Sequence, residues 1–194
     1  MTSLAGAPPV LRGILVITAA VWVVAELRQS ITHRPEGVRA GWGSEILFRL
    51  VIGAGALGAT VLSRATPSAT IRPATVAAWI GLVLFWGAIV LRLWSFRTLG
   101  RYFTFTVQTS HDQPVITDGP YRLIRHPSYA GVLLVFIAVG LFMGNWWSLV
   151  CLTVAATSGL VFRIRVEERA LMQSLGDDYR DYAATRKRLV PFIW

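Results

Sequence analysis

HPSYAGVLLVFIAVGLFMGNWWSLVCLTVAATSGLVF, residues 126–162, carries no formally charged side chain over its whole length. As one helix its 37 residues would reach about 55 Å, against a bilayer hydrocarbon core of about 30 Å. Gly144-Asn145 stands near its middle and is good turn chemistry. The run is therefore expected to form two antiparallel helices, near Tyr129–Met143 and Trp146–Phe162. A hairpin of this polarity belongs in a membrane.

Upstream, three further stretches lack formal charge: Gly13–Ala25, Leu50–Ser63 and Pro73–Leu91. With arginines snorkelling at their ends, they predict spanning helices near Val10–Leu27, Ile46–Leu62 and Ala74–Trp94. Composition agrees, with 54% hydrophobic and 15% charged residues, where soluble domains carry roughly 25% charged. The mean hydropathy is +0.55. The expected fold is an all-α integral membrane protein with five transmembrane helices.

Arginine placement predicts the orientation. With the N-terminus outside, the inner segments Glu26–Glu45, Ser95–Arg125 and Arg163–Trp194 hold 3, 4 and 7 Lys/Arg. The outer segments hold only Arg12, Arg64 and Arg72. The C-terminus is thus expected in the cytoplasm, and the net charge of +9 reads as a topology signal with attraction to anionic headgroups. No basic-aromatic module supports nucleic-acid binding. Met1-Thr2-Ser3 opens no basic signal-peptide region, so the first helix is expected to be retained. One cysteine, Cys151, and three histidines offer no disulfide and no metal constellation.

Several features look chemical and have plainer readings. Gly53-Ala54-Gly55-Ala56-Leu57-Gly58 matches a dinucleotide fingerprint but has no strand before it and no acid about 20 residues on. Small-residue helix packing, with Ala54 and Gly58 as a small-x-x-x-small pair, accounts for it. Arg49 and Arg92 lie near helix ends, where snorkelling or internal pairing explains them. Trp42, Trp94, Trp146, Trp147 and Trp194 read as interfacial aromatics.

Polar groups gather in two places. Arg101–Tyr129 breaks the apolar pattern: alternation over Arg101–Gln108 suits a short extended segment, and Asp118-Gly119-Pro120-Tyr121 is a turn. His126-Pro127 then opens a helix, leaving His126, Ser128 and Tyr129 around an N-terminus whose backbone donors favour polar or anionic ligands. In the tail, Arg163 and Glu167 are four apart on one helix face. Gly176 is expected to stop that helix and Asp177-Asp178 to start another.

Taken in order, Gln108, Tyr121, Arg125-His126-Pro127-Ser128-Tyr129-Ala130-Gly131, an uncharged hairpin, Arg163, Glu167-Glu168, Leu171, Gly176-Asp177-Asp178-Tyr179, Tyr182 and Pro191-Phe192-Ile193 closely resemble the isoprenylcysteine carboxyl methyltransferase family. The resemblance covers roughly Leu99–Trp194, and related phospholipid methyltransferases share much of this architecture. It implies a division into residues 1–98, N-terminal helices, and 99–194, a catalytic region of loop, hairpin and tail. It also implies S-adenosylmethionine held in a non-Rossmann pocket, with S-adenosylhomocysteine as product. Gln108, Gln113, Val115, Ile116, Tyr121, His126, Pro127, Ser128, Tyr129 and Glu167 would surround the cofactor. Arg163 would lie beside the acceptor carboxylate, making Arg163 and Glu167 the catalytic pair. Between Gln108 and Tyr121 the chain looks about two residues shorter than the eukaryotic enzymes, with Gln113 where a histidine is familiar and His111 nearby.

The activity so implied is methyl esterification of a prenylated cysteine or similar lipidated acid. Methylation of a lipid headgroup amine is the alternative; it needs deprotonation and no carboxylate clamp. A transporter or channel subunit is a third reading, opposed by the polar groups collecting at one face.

Overall fold

A computed structural model describes residues 9–31, 38–39, 42–100, 108–109, 114–191 and 193–194. Five helices carry the fold: α1 (Pro9–Ile31), α2 (Trp42–Ala65), α3 (Ala74–Leu99), α4 (Pro127–Met143) and α5 (Trp146–Thr185). Two-residue strands β1 (Val38–Arg39) and β2 (Gln108–Thr109) pair antiparallel, with Val38 opposite Thr109 and Arg39 opposite Gln108. The expected extended segment is described only at this pair; Arg101–Val107 lie outside the described residues.

Each apolar run became a helix. Among the described residues, α2 from Gly43, α3 and α5 are long and apolar enough to cross a membrane, while Gly13–Trp22 of α1 and all of α4 are shorter apolar helices. At 17 residues α4 is about 26 Å long, close to the hydrocarbon thickness. The result is an all-α integral membrane fold.

α3 packs along α4, α2 along α5, and α4 against α5. The first core joins Leu11 and Leu15 of α1 to Ala78 and Leu82 of α3, with Phe142 against them. A second gathers Phe85, Ala88 and Ile89 with Val135 and Ala138 of α4. Large apolar side chains such as Val83, Val90, Leu57 and Val154 face outward, as lipid contact requires.

The glycine fingerprint does pack helices, with one shift in register. Ala54 is exposed, whereas Gly55 and Ala59 are buried. A Cβ on Gly55 would stand 2.5 Å from the Ala155 Cβ, and one on Gly58 would stand 3.2 Å from the Cys151 Sγ. Cys151 Sγ lies 3.5 Å from the Gly55 carbonyl, to which it donates, and Ser148 Oγ donates to the Ala59 carbonyl at 2.7 Å. The packing pair is therefore Gly55-x-x-x-Ala59, joined by Gly58.

The α4–α5 turn is tied down. Gly144 adopts the left-handed conformation, and the Asn145 side chain accepts from the amides of Trp147 and Ser148 at 3.0 and 3.2 Å. Asn145 Nδ2 donates to the Thr66 carbonyl at 2.8 Å, and the Ile71 amide to the Gly144 carbonyl at 2.8 Å. The hairpin tip is thus bolted to the loop between α2 and α3.

At the other end α5 runs past its apolar half into a charged limb. Gly176, with φ 59° and ψ −130°, breaks its helical path, where the sequence placed a stop and a new start. The tail then returns: the amides of Arg125 and His126 donate to the carbonyls of Lys187 and Arg188 at 2.8 and 2.9 Å.

Candidate functional site

The end of the bundle opposite the tip is where buried polar groups converge. His126 is the residue before α4, outside helical conformation, with Pro127 in the first turn. That geometry sends its imidazole toward α5. Its Nε2 lies 3.3 Å from Glu168 Oε1 and its Nδ1 3.9 Å from Glu167 Oε1. The imidazole stacks on Tyr129, one turn along, with centroids 5.6 Å apart and planes at 15°.

Tyr129 joins the two halves of the site. Its hydroxyl donates to Glu167 Oε2 at 2.5 Å and accepts from Arg163 Nε at 2.8 Å. The Arg163 guanidinium carbon lies 5.5 Å from the Tyr129 ring centre and 6.0 Å from that of Phe48. The other side of the guanidinium, Nη1, forms an ion pair with Glu45 Oε2 in the first turn of α2. Arg163 is 6% exposed at its side chain, so this charge is desolvated and held by named partners.

The adjacent carboxylates differ. Glu167 remains 26% exposed, with lone pairs beyond those Tyr129 uses. Glu168 is 4% exposed and is surrounded by Arg125 Nε at 3.2 Å, His126 and Arg188 Nε at 2.8 Å. Burial alone would raise its carboxyl; hydrogen bonds from His126 and Arg188, with the Arg125 charge, hold it below the ordinary value near 4.5. It lies in the charged limb, beyond the apolar half of α5.

Close approach of α3 and α4 brings in another cation. A Cβ on Gly131 would sit 2.5 Å from Arg92 Cγ and 3.1 Å from the Ala88 carbonyl, so only glycine fits. Arg92 Nη1 then donates to the Ser128 carbonyl at 2.9 Å and to Ser128 Oγ at 3.1 Å. This is the internal pairing expected for Arg92. Arg49 bonds instead to Glu45, its Nε donating to Oε1 at 2.8 Å.

Tyr121 lies in the loop before α4, in a short 3-10 turn over Gly119–Arg122, where a turn was expected. Tyr182 Oη donates to its carbonyl at 2.8 Å. Burial first, and then the Glu167 charge, push the Tyr121 phenol far up, so it stays a neutral donor. Tyr182 is likewise pushed up to about 12, chiefly by burial. The Tyr179 hydroxyl is buried with no hydrogen-bond partner among the described residues, although Glu168 and Glu167 are near enough to bias it.

Of the residues chosen from sequence, His126, Tyr129, Arg163 and Glu167 share one hydrogen-bonded and stacked cluster, Ser128 and Pro127 lie buried at its edge, and Tyr121 adjoins it. Val115 and Ile116 are half-buried in the segment leading in. Gln108 is placed by its backbone in β2. Gln113 and His111 lie outside the described residues. Sequence reasoning missed Glu45, which it left at the end of a polar segment just before the helix expected near Ile46–Leu62, and the partners Arg125 and Arg188 of Glu168.

The profile describing phospholipid methyltransferases matches residues 76–178, more than half of the chain. The chain belongs to the phospholipid methyltransferase family. Within it, this member is 33% identical over 117 residues to the probable protein-S-isoprenylcysteine O-methyltransferase of Oryza sativa subsp. indica, covering 59% of this chain and 61% of the relative. It is 32% identical over 115 residues to protein-S-isoprenylcysteine O-methyltransferase A of Arabidopsis thaliana, covering 58% of each. The chain therefore spans about three fifths of the length of these relatives. A solved structure of a eukaryotic intramembrane Ras methyltransferase, an isoprenylcysteine carboxyl methyltransferase, aligns with a TM-score of 0.61 at 26% identity, over 75% of this chain and 52% of the other. The resemblance read from the ordered motifs and the likeness in fold agree.

Proposed function

We propose that this chain is a membrane-embedded S-adenosylmethionine-dependent methyltransferase that esterifies the carboxylate of a prenylated cysteine or a similar lipidated acid. The observation that carries the proposal is the Arg163–Tyr129–Glu167–His126 cluster, a desolvated guanidinium joined by one phenol to a half-open carboxylate. The isoprenylcysteine methyltransferases it resembles support the acceptor class.

The donor set suits S-adenosylmethionine. Glu167 offers acceptor oxygens for ammonium or ribose hydroxyl groups, and the Tyr179 hydroxyl, without a hydrogen-bond partner among the described residues, and the neutral Tyr121 phenol supply donors. His126 and Tyr129 provide stacked aromatic surface. Gln108, Gln113, Val115, Ile116, Pro127 and Ser128 complete the proposed shell. When bound, the cofactor supplies a sulfonium-activated methyl group.

The protein's part is alignment. A carboxylate acceptor is already ionised near pH 7, so its oxygen needs no general base. Holding the reactants in line supplies up to about 7–11 kcal/mol in favourable cases. Arg163 positions the acceptor, Tyr129 fixes the guanidinium, and Glu167 anchors the cofactor side. Residues 99–194 form the proposed catalytic region, assisted by Glu45 and Arg92 from the first half. The site faces the cytoplasm, where the arginine-rich segments lie, with the lipid chain between helices in the bilayer.

One observation favours amine methylation of a phospholipid as a second reading. The Glu45 carboxylate already neutralises Arg163. Offering labelled S-adenosylmethionine with N-acetyl-farnesylcysteine and with phosphatidylethanolamine separates the two. A base-labile methyl ester on the first is the expected result. Stable N-methylation of the second, with no ester, overturns the proposal.

A further inference from the structure

Arg163 is buried, and a buried guanidinium without a counter-anion is costly, so a carboxylate must face it before any acceptor arrives. Its Nε is committed to Tyr129, which leaves the Nη1 side for an acid. Glu45 fills that side from the first turn of α2. Chemically, this is the contact the acceptor carboxylate would make.

Glu45 also has somewhere to go. Its second oxygen, Oε1, accepts from Arg49 Nε at 2.8 Å, one turn further along the same helix. The Arg49 side chain is 69% exposed and the Glu45 side chain 19%, so the displaced carboxylate can remain with a solvated cation. Both states keep every charge compensated.

We infer that Glu45 is a resident carboxylate that holds the acceptor's place on Arg163, yields it only to an incoming anion, and reclaims it from the neutral ester. The inference rests on the carboxyl-methylating reading above. It makes Glu45 a specificity residue: a neutral lipid has no charge with which to displace it. Esterification removes the acceptor's negative charge, so the product loses its hold on the guanidinium and Glu45 expels it.

The test uses the full chain in lipid nanodiscs, with N-acetyl-farnesylcysteine as acceptor and its methyl ester as inhibitor. Glu45→Gln removes the competing charge. Acceptor KM is expected to fall roughly tenfold, the scale of a lost charge-assisted bond, and the ester to inhibit more tightly by a similar factor. The Kd for S-adenosylhomocysteine stays as in the wild type. Glu45→Asp, which keeps the charge on a shorter arm, moves KM in the same direction by less. A merely structural role predicts raised KM or weakened S-adenosylhomocysteine binding instead. Acceptor KM unchanged or raised, in either variant that still binds S-adenosylhomocysteine normally, overturns the inference; should Glu45→Gln lose that binding, Glu45→Asp decides. Wild-type protein that forms no ester overturns the parent reading, and this inference with it.

Discussion

Glu167 and Glu168 are neighbours in the chain with separate duties. Successive residues on a helix point about 100° apart, so one turns its carboxylate to the half-open site and the other into the tail. Replacing Glu167 by Ala removes the acceptor oxygens beside Tyr129. S-adenosylhomocysteine affinity, measured by isothermal titration, is expected to fall at least roughly tenfold, the scale of hydrogen bonds to a charged group. His126→Ala, which removes the ring stacked on Tyr129, is expected to weaken it as well. Unchanged affinity in both variants rejects the site. Which of the two glutamates faces the site could not be read from Arg163 and Glu167 being four apart, because that spacing says nothing about what lies opposite.

At the scale of elements, Gly131 lets α4 approach α3 closely, and Arg92 reaches Ser128 beside that contact. Gly131→Val inserts side-chain atoms into occupied space and is expected to destabilise the fold by about 1–3 kcal/mol. A lower midpoint in a thermal melt of the purified protein, beside an unaltered control such as Gly87→Ala at an uncrowded position, checks this. The helices themselves were legible: uncharged runs, Gly144-Asn145 and the Gly176 break all fell where the sequence placed them. The finer register was not. Ala54 and Gly55 are both small, so composition could not say which faces α5, and Ala155 on α5 decides it. Glu45 was hidden for a different reason. The helix was expected to begin near Ile46, whereas it begins at Trp42, so Glu45 was left in a polar segment with no helix face to aim it at Arg163.

Across the whole molecule, the tail is fastened to the start of α4 by two backbone hydrogen bonds and by Glu168. Because the Glu168 carboxyl lies below its ordinary value in the fold, its contribution is complete above that value and is lost as pH falls through the lowered one. Cleavage by a protease at Arg186–Arg188 should therefore stay slow from neutrality down to the ordinary carboxylate range near 4.5 and accelerate in stronger acid. Glu168→Ala should give rapid cleavage at neutral pH, since stranding the buried partners costs about 3–5 kcal/mol. Equal cleavage rates in variant and wild type reject this role for Glu168.

The tip of the α4–α5 hairpin leads to a different consequence. Asn145 and Gly144 are pinned to Thr66 and Ile71. Like tongs riveted at one end and latched at the other, the hairpin carries Arg163 and Tyr129 at the latch, where their hydrogen bond joins α5 to α4 beside the returning tail. A greasy guest sliding in from the bilayer would therefore have to ease that latch, where the reaction is proposed to occur, while the rivet stays still.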